Sequence, residues 1–126
     1  MAMKALLIAL VAVSATSFSP QELTFSVSCE GLENRNVLKD GLKPSELSTF
    51  TVSANQKAVA VERLNVILAR GEQPVLRETV TGNNFNIPAF HSSAKPGDRI
   101  VIEVVKISGS TEALNDQNKI LQIPLI

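Results

Sequence analysis

No tryptophan and no tyrosine occur anywhere in the 126 residues, and there is one cysteine, Cys29, and one histidine, His91. A lone cysteine forbids an internal disulfide and a redox pair. A lone imidazole excludes a metal site built on two histidine ligands of one chain. Without Trp and Tyr, the usual stacking platforms for sugar rings are missing. Net charge is missing too: twelve basic residues balance twelve acidic ones. The basic residues are scattered, so neither nucleic acid nor an anionic lipid surface meets a positive field. The chain has no GxxxxGKS/T, GxGxxG or GxSxG pattern. It also has no Asn-x-Ser/Thr sequon, which suits a bacterial periplasm better than a eukaryotic secretory route.

Long apolar runs are absent as well. The longest at the amino terminus, Ala5 to Val13, is far short of the roughly 20 residues that span a bilayer. It follows Met1-Ala2-Met3-Lys4 and leads into Ser14, Ala15, Thr16 and Ser17. A positive start, an apolar stretch and small residues behind it are the parts of a secretory signal peptide, with cleavage expected after Ala15 or Ser17. The expected organisation is a signal peptide over residues 1–17 and a single domain over 18–126, periplasmic or secreted and not membrane-spanning once processed. Losing Lys4 leaves eleven basic residues against twelve acidic ones. Cys29 lies well beyond either cleavage site, so it is not placed to carry a lipid anchor.

Period two dominates what remains. Phe25, Val27 and Cys29 alternate with Thr24, Ser26 and Ser28, the pattern of a half-buried strand. That setting makes Cys29 a buried or half-buried strand thiol. Thr49 to Ala54 repeats the alternation, with Phe50, Val52 and Ala54 on one face. Ile100, Ile102 and Val104 mark another strand, and Ile120 to Ile126 closes the chain. Pro124 cannot donate to a ladder, so that last strand is expected at a sheet edge or to bend at the proline. Val59 to Arg70 reads two ways. As a strand it aligns Leu64, Val66 and Leu68; as a helix it aligns Val61, Leu64 and Leu68. Four β-branched residues and strand-like neighbours favour the strand. Gly71 to Pro74 is expected to turn the chain back into Val75–Val80. Turn residues recur every 8–15 positions, and no long capped helix pattern intervenes. The expected fold is all-β, an antiparallel β-sandwich of about seven strands.

Side chains able to support catalysis are few. Ser92, Ser93 and Asp98 lie near His91 in sequence, yet Pro88, Ser92, Ser93, Lys95 and Pro96 make the surroundings read as turn, so His91 is expected to be a loop residue. Glu62 and Glu103 lie in strands, and Arg63, Arg70, Arg77, Arg99 and Lys106 supply counter-charges for them. Asp40, Asp98 and Asp116 lack EF-hand spacing. Arg70-Gly71-Glu72 reads as a hairpin turn with a charged rim. In Lys95-Pro96-Gly97-Asp98-Arg99, Pro96 fixes one turn angle and Gly97 permits positive φ at the next, a type II turn. Asp98 is then placed to accept from nearby amides. No catalytic, cofactor-binding or metal-ligating residue is expected.

Taken in order, several segments resemble one family. They are Phe50-Thr51-Val52-Ser53, Leu68-Ala69-Arg70-Gly71, Gly82-Asn83-Asn84-Phe85, Lys95 through Lys106, and the closing Ile120 to Ile126 strand. This series is similar to the carboxy-terminal periplasmic domains of the gliding-motility and type IX secretion protein GldM (PorM in its relatives). The similarity runs from about Ser48 to the end and is weaker from Phe25 to Leu47. It implies an immunoglobulin-like β domain and a non-catalytic scaffold role, with an envelope protein, such as a secretion-system component, as partner. The chain departs from the family in carrying a cleavable-looking signal where the family has a transmembrane anchor. It is also too short for the family's stacked periplasmic domains. The alternative expectation is a secreted β-sandwich that binds a small ligand or a carbohydrate, for which a deep apolar pocket would be needed.

Overall fold

The computed structural model describes residues 22–110, 114 and 119–126. The signal-peptide reading of residues 1–17 and the start of the 18–126 domain lie outside the described residues, as does Asp116. Seven strands are described: β1 Phe25–Cys29, β2 Phe50–Ala54, β3 Ala60–Arg70, β4 Gln73–Thr81, β5 Asn84–Phe85, β6 Arg99–Ser108 and β7 Ile120–Pro124. They form a small sheet ordered β1-β2-β5 and a large one ordered β4-β3-β6-β7, and every strand pairing in them is antiparallel. The chain changes sheet after β2, β4 and β5, which sets β5 beside β2 and β6 beside β3. This is an immunoglobulin-like sandwich.

Alternation builds the core. Phe25, Val27 and Cys29 of β1, Phe50 and Val52 of β2 and Phe85 of β5 are buried from one side. Leu64, Val66 and Leu68 of β3, Ile100, Ile102 and Val104 of β6 and Ile123 of β7 meet them, each of these fully buried. The residues between them face outward because successive side chains of a strand point to opposite faces. Aromatic packing is sparse, but Phe50 and Phe85 are directly paired across β2 and β5 and stack with centroids 5.2 Å apart.

The helix-or-strand ambiguity at Val59–Arg70 has a structural cause. The segment is a strand, yet Val61 and Leu64 are both buried although three apart. Val61 pairs with Ile107 and Arg63 with Lys106, so Glu62 is an extra residue on β3; Arg63 then pairs with Lys106 and Leu64 with Val104, so Val105 is extra on β6. The two compensating bulges shift the inward phase by one residue. A period-two strand thereby imitates the i, i+3 spacing of a helix.

Two short helices were not visible in the period-two pattern. In α1, Val37–Asp40, the Asn36 side chain accepts from the Lys39 amide at the amino end. The helix packs against β1 and β7, with Val37 fully buried. Gly41 follows with φ +76°, and a Cβ there would sit 2.6 Å from the Pro124 carbonyl oxygen. Only glycine meets both demands. In α2, Pro88–Ser93, Pro88 occupies the first turn, where its missing N–H costs nothing, and Phe90 is buried.

Candidate interaction surface

Of the residues with catalytic potential, Ser93 and Asp98 are joined through Arg70, to which Ser93 offers its backbone carbonyl and not its hydroxyl. His91 lies on α2 rather than in the loop that its neighbours suggested, because Pro88 starts a helix there; it is exposed, with Nε2 3.1 Å from Asn86 Oδ1. Ser92 Oγ donates to the Ala89 carbonyl within the same helix at 3.2 Å. Glu62 faces Lys106 at 3.7 Å, and Glu103 faces Lys119 at 3.5 Å. Glu103 also accepts from Asn65 Nδ2, and Asn65 Oδ1 in turn accepts from Thr79 Oγ1. The two glutamates are thus separate members of charged and polar rows on the large sheet. Among the described residues no group of three or more His, Cys, Asp or Glu is arranged to hold a metal ion.

Asp98 belongs to a different construction. It is the buried charged residue of the core margin, 2% exposed. Arg70 donates to both of its carboxylate oxygens, through Nε at 2.9 Å and Nη2 at 2.8 Å. The Lys95 amide donates to Oδ2 at 2.9 Å. Arg70 Nη2 also donates to the Ser93 carbonyl at 3.0 Å, joining the end of α2 to the same clamp. The turn itself is as its residues dictate: Gly97 has φ +93°, and the Asp98 amide donates to the Lys95 carbonyl at 3.1 Å. The forked bond from Arg70 holds the Asp98 carboxyl below its ordinary range, against the upward push of burial, with help from the Lys95 amide. Spacing alone put Asp98 in a turn. It did not reveal that Arg70, 28 positions earlier, comes to neutralise it, because the pairing arises from the β3–β6 register.

Glu46 shows the same chemistry at the surface. It accepts from the Lys43 amide at 2.8 Å and from Arg35 at 2.9 and 3.0 Å. These bonds, the amide first, lower its pKa. Cys29 is fully buried, with Sγ 3.2 Å from Ser48 Oγ. This is the strand thiol its setting predicted.

Sheet edges offer the remaining contact surfaces. β7 is an edge strand, as Pro124 allowed. Its end, however, is occupied by the chain itself. Leu42 donates to the Pro124 carbonyl at 3.0 Å and accepts from the Ile126 amide at 2.9 Å. β4 differs: among the described residues it pairs on one side only, with β3, through every position but Val75. Gly71 and Glu72 alone connect the two strands, so the ladder resumes at Gln73 and runs through Pro74, earlier than the turn residues suggested. An open groove of about 450 Å³ runs beside β4, lined by Glu78, Val80, Phe85, Ile87 and Pro88 among others. It is a surface cleft between the two sheets, not the deep apolar pocket that a small-ligand protein would need.

The GldM C-terminal domain family model matches residues 44–125. The match spans β2 through β7 and includes both halves of the Arg70–Asp98 clamp. No curated protein and no solved structure matches the chain.

Proposed function

The chain belongs to the GldM C-terminal domain family, and from that premise we propose that it is a non-catalytic periplasmic interaction module. Its partner is an envelope protein, a component of a secretion or gliding machine. The family match carries this reading. The chemistry of these side chains supports it: His91, Asp98, Glu62 and Glu103 are each engaged by a different partner, Asn86, Arg70, Lys106 and Lys119. Among the described residues these partners engage the groups singly, and a catalytic site needs a nucleophile, a base and an acid around one point. What the molecule offers instead is shape, open strand edges and a groove. Among the described residues no helix is long and apolar enough to cross a membrane, which agrees with a domain that meets its partner from the aqueous side.

The test is affinity capture. The tagged chain, immobilised and exposed to envelope extracts of a type IX-secreting bacterium, is expected to retain a ring or secretion component saturably. Heat-unfolded chain should retain none. Recovery of no envelope protein by the folded chain contradicts the reading.

A further inference from the structure

The large sheet has four strands and the small one three, and β4 is an edge strand of the large sheet. The consequence is visible residue by residue. On β3, Leu64, Val66 and Leu68 are fully buried, whereas their β4 partners Val80, Glu78 and Leu76 are half-buried, exposed and half-buried. Of the three, Val80 and Glu78 line the groove, together with Phe85, Ile87 and Pro88. Glu78 is the one charged residue in the groove lining. Among the described residues it has no ion-pair or hydrogen-bond partner. The rest of the lining is uncharged, with Thr79, Asn84 and Asn86 beside the apolar side chains, and a carboxylate left unpaired there favours an incoming cation. The neighbouring backbone is an unpaired strand edge, which takes up extended chain by continuing the ladder.

Resting on the interaction-module reading, we propose that β4 accepts an extended segment of a partner protein as a fifth strand of the large sheet, with a basic side chain of that segment entering the groove against Glu78. Pro74, and the bulge that leaves Val75 without a partner on β3, blunt the first part of the edge. Leu76 to Thr81 is therefore the docking stretch. On its outer face Arg77 and Thr79 stand exposed. The added strand accordingly alternates apolar and basic residues inward with hydroxyl or acidic residues outward. A second copy of this chain fits badly. Two-fold antiparallel pairing of β4 with itself sets residues of the same face opposite one another. Of the two registers that use most of Leu76–Thr81, the one centred on 78 brings Glu78 against Glu78, and like charges directly opposite are destabilising; the one centred on 79 sets Glu78 opposite Val80, so neither offers the carboxylate a cation.

The experiment titrates the isotope-labelled full chain with an end-capped peptide, Thr-Val-Thr-Lys-Thr-Val-Thr, and follows backbone amide shifts and exchange. The expected changes fall on Leu76–Thr81 and Asn84–Ala89, with slowed exchange on β4. Glu78→Lys, a surface change, should weaken binding about three- to fivefold, the size of one cross-strand charge pair. A peptide with glutamate in place of lysine should recover that loss against the variant. Shifts confined to other elements, equal affinity of both peptides for both proteins, or self-association of the chain through β4 in sedimentation would each overturn the proposal. The module reading is judged separately by the envelope capture. If wild type and Glu78→Lys capture the same component equally, with β4 unprotected, the docking site is wrong and the module stands; if wild type captures nothing, the module reading fails.

Discussion

Replacing Asp98 by alanine tests the clamp that joins two of the segments by which the family is recognised. The carboxylate is 2% exposed and accepts from Arg70 twice and from the Lys95 amide once. Its removal leaves the Lys95 amide without its side-chain acceptor, while Arg70, 43% exposed at its side chain, turns to water. Hydrogen bonds to charged groups contribute about 1.5–3 kcal/mol, and water access to Arg70 argues for a total near the single-bond figure rather than a sum, so the loss at Asp98 is about 2–3 kcal/mol. At about 4 °C per kcal/mol for a domain of this size, Tm falls by about 8–12 °C. Arg70→Ala should destabilise more than Asp98→Ala, because it strands a buried negative charge instead of an exposed positive one. The pH dependence fixes the sign. Asp98 has a lowered folded-state pKa, so its contribution is fully present above the ordinary carboxylate range and is lost as pH falls through the folded value. Denaturant unfolding of wild type and Asp98→Ala at pH 7 and near pH 3 should therefore show a gap that narrows in acid. A Tm change under about 2 °C, or a gap that stays constant between the two pH values, would refute the reasoning.

Three further changes probe other parts of the sandwich. Leu68→Ala, at a fully buried site between the sheets, should cost about 2–5 kcal/mol in urea unfolding with an unchanged m-value. Gly41→Ala places a Cβ against the Pro124 carbonyl at a φ of +76°; amide exchange at Leu42 and Ile126 should quicken markedly while that of Ile102 changes little. Cys29, fully buried, should react with a thiol reagent only as fast as the chain opens, so its labelling across a urea series should track unfolding measured by circular dichroism.

Much of the fold was legible because alternation maps directly onto a two-sided sheet. Phe25–Cys29, Phe50–Ala54 and Ile100–Val104 stand where the pattern put them. Pro124, lacking an N–H to donate, pointed to an edge or a bend, and β7 lies at the edge. Val59–Arg70, rightly favoured as a strand, also offered a helical alternative because paired bulges at Glu62 and Val105 alter the phase of burial, and bulges leave no composition mark. Helices α1 and α2 are only four and six residues long, too short for a 3.6-residue period to emerge, which is why His91 read as loop. The turn at Lys95–Asp98 was readable down to the role of Gly97, since Pro-Gly dictates local angles. Its partner Arg70 was not, because salt bridges across strands depend on register. The groove lies where β4 of one sheet meets β5 and the start of α2, a meeting set by topology rather than by any one segment. The family resemblance drew on the same turn and strand segments that the Arg70–Asp98 clamp holds in place.

Hydrogen exchange of the full chain, alone and bound to the component it captures from envelope extracts, tests most directly whether this molecule acts through its surface. The account predicts protection gained over Leu76–Thr81 and Asn84–Ala89, with the core amides of Ile100 to Val104 unchanged. Failure of any envelope component to bind, or protection confined to faces away from β4 and its groove, would contradict it.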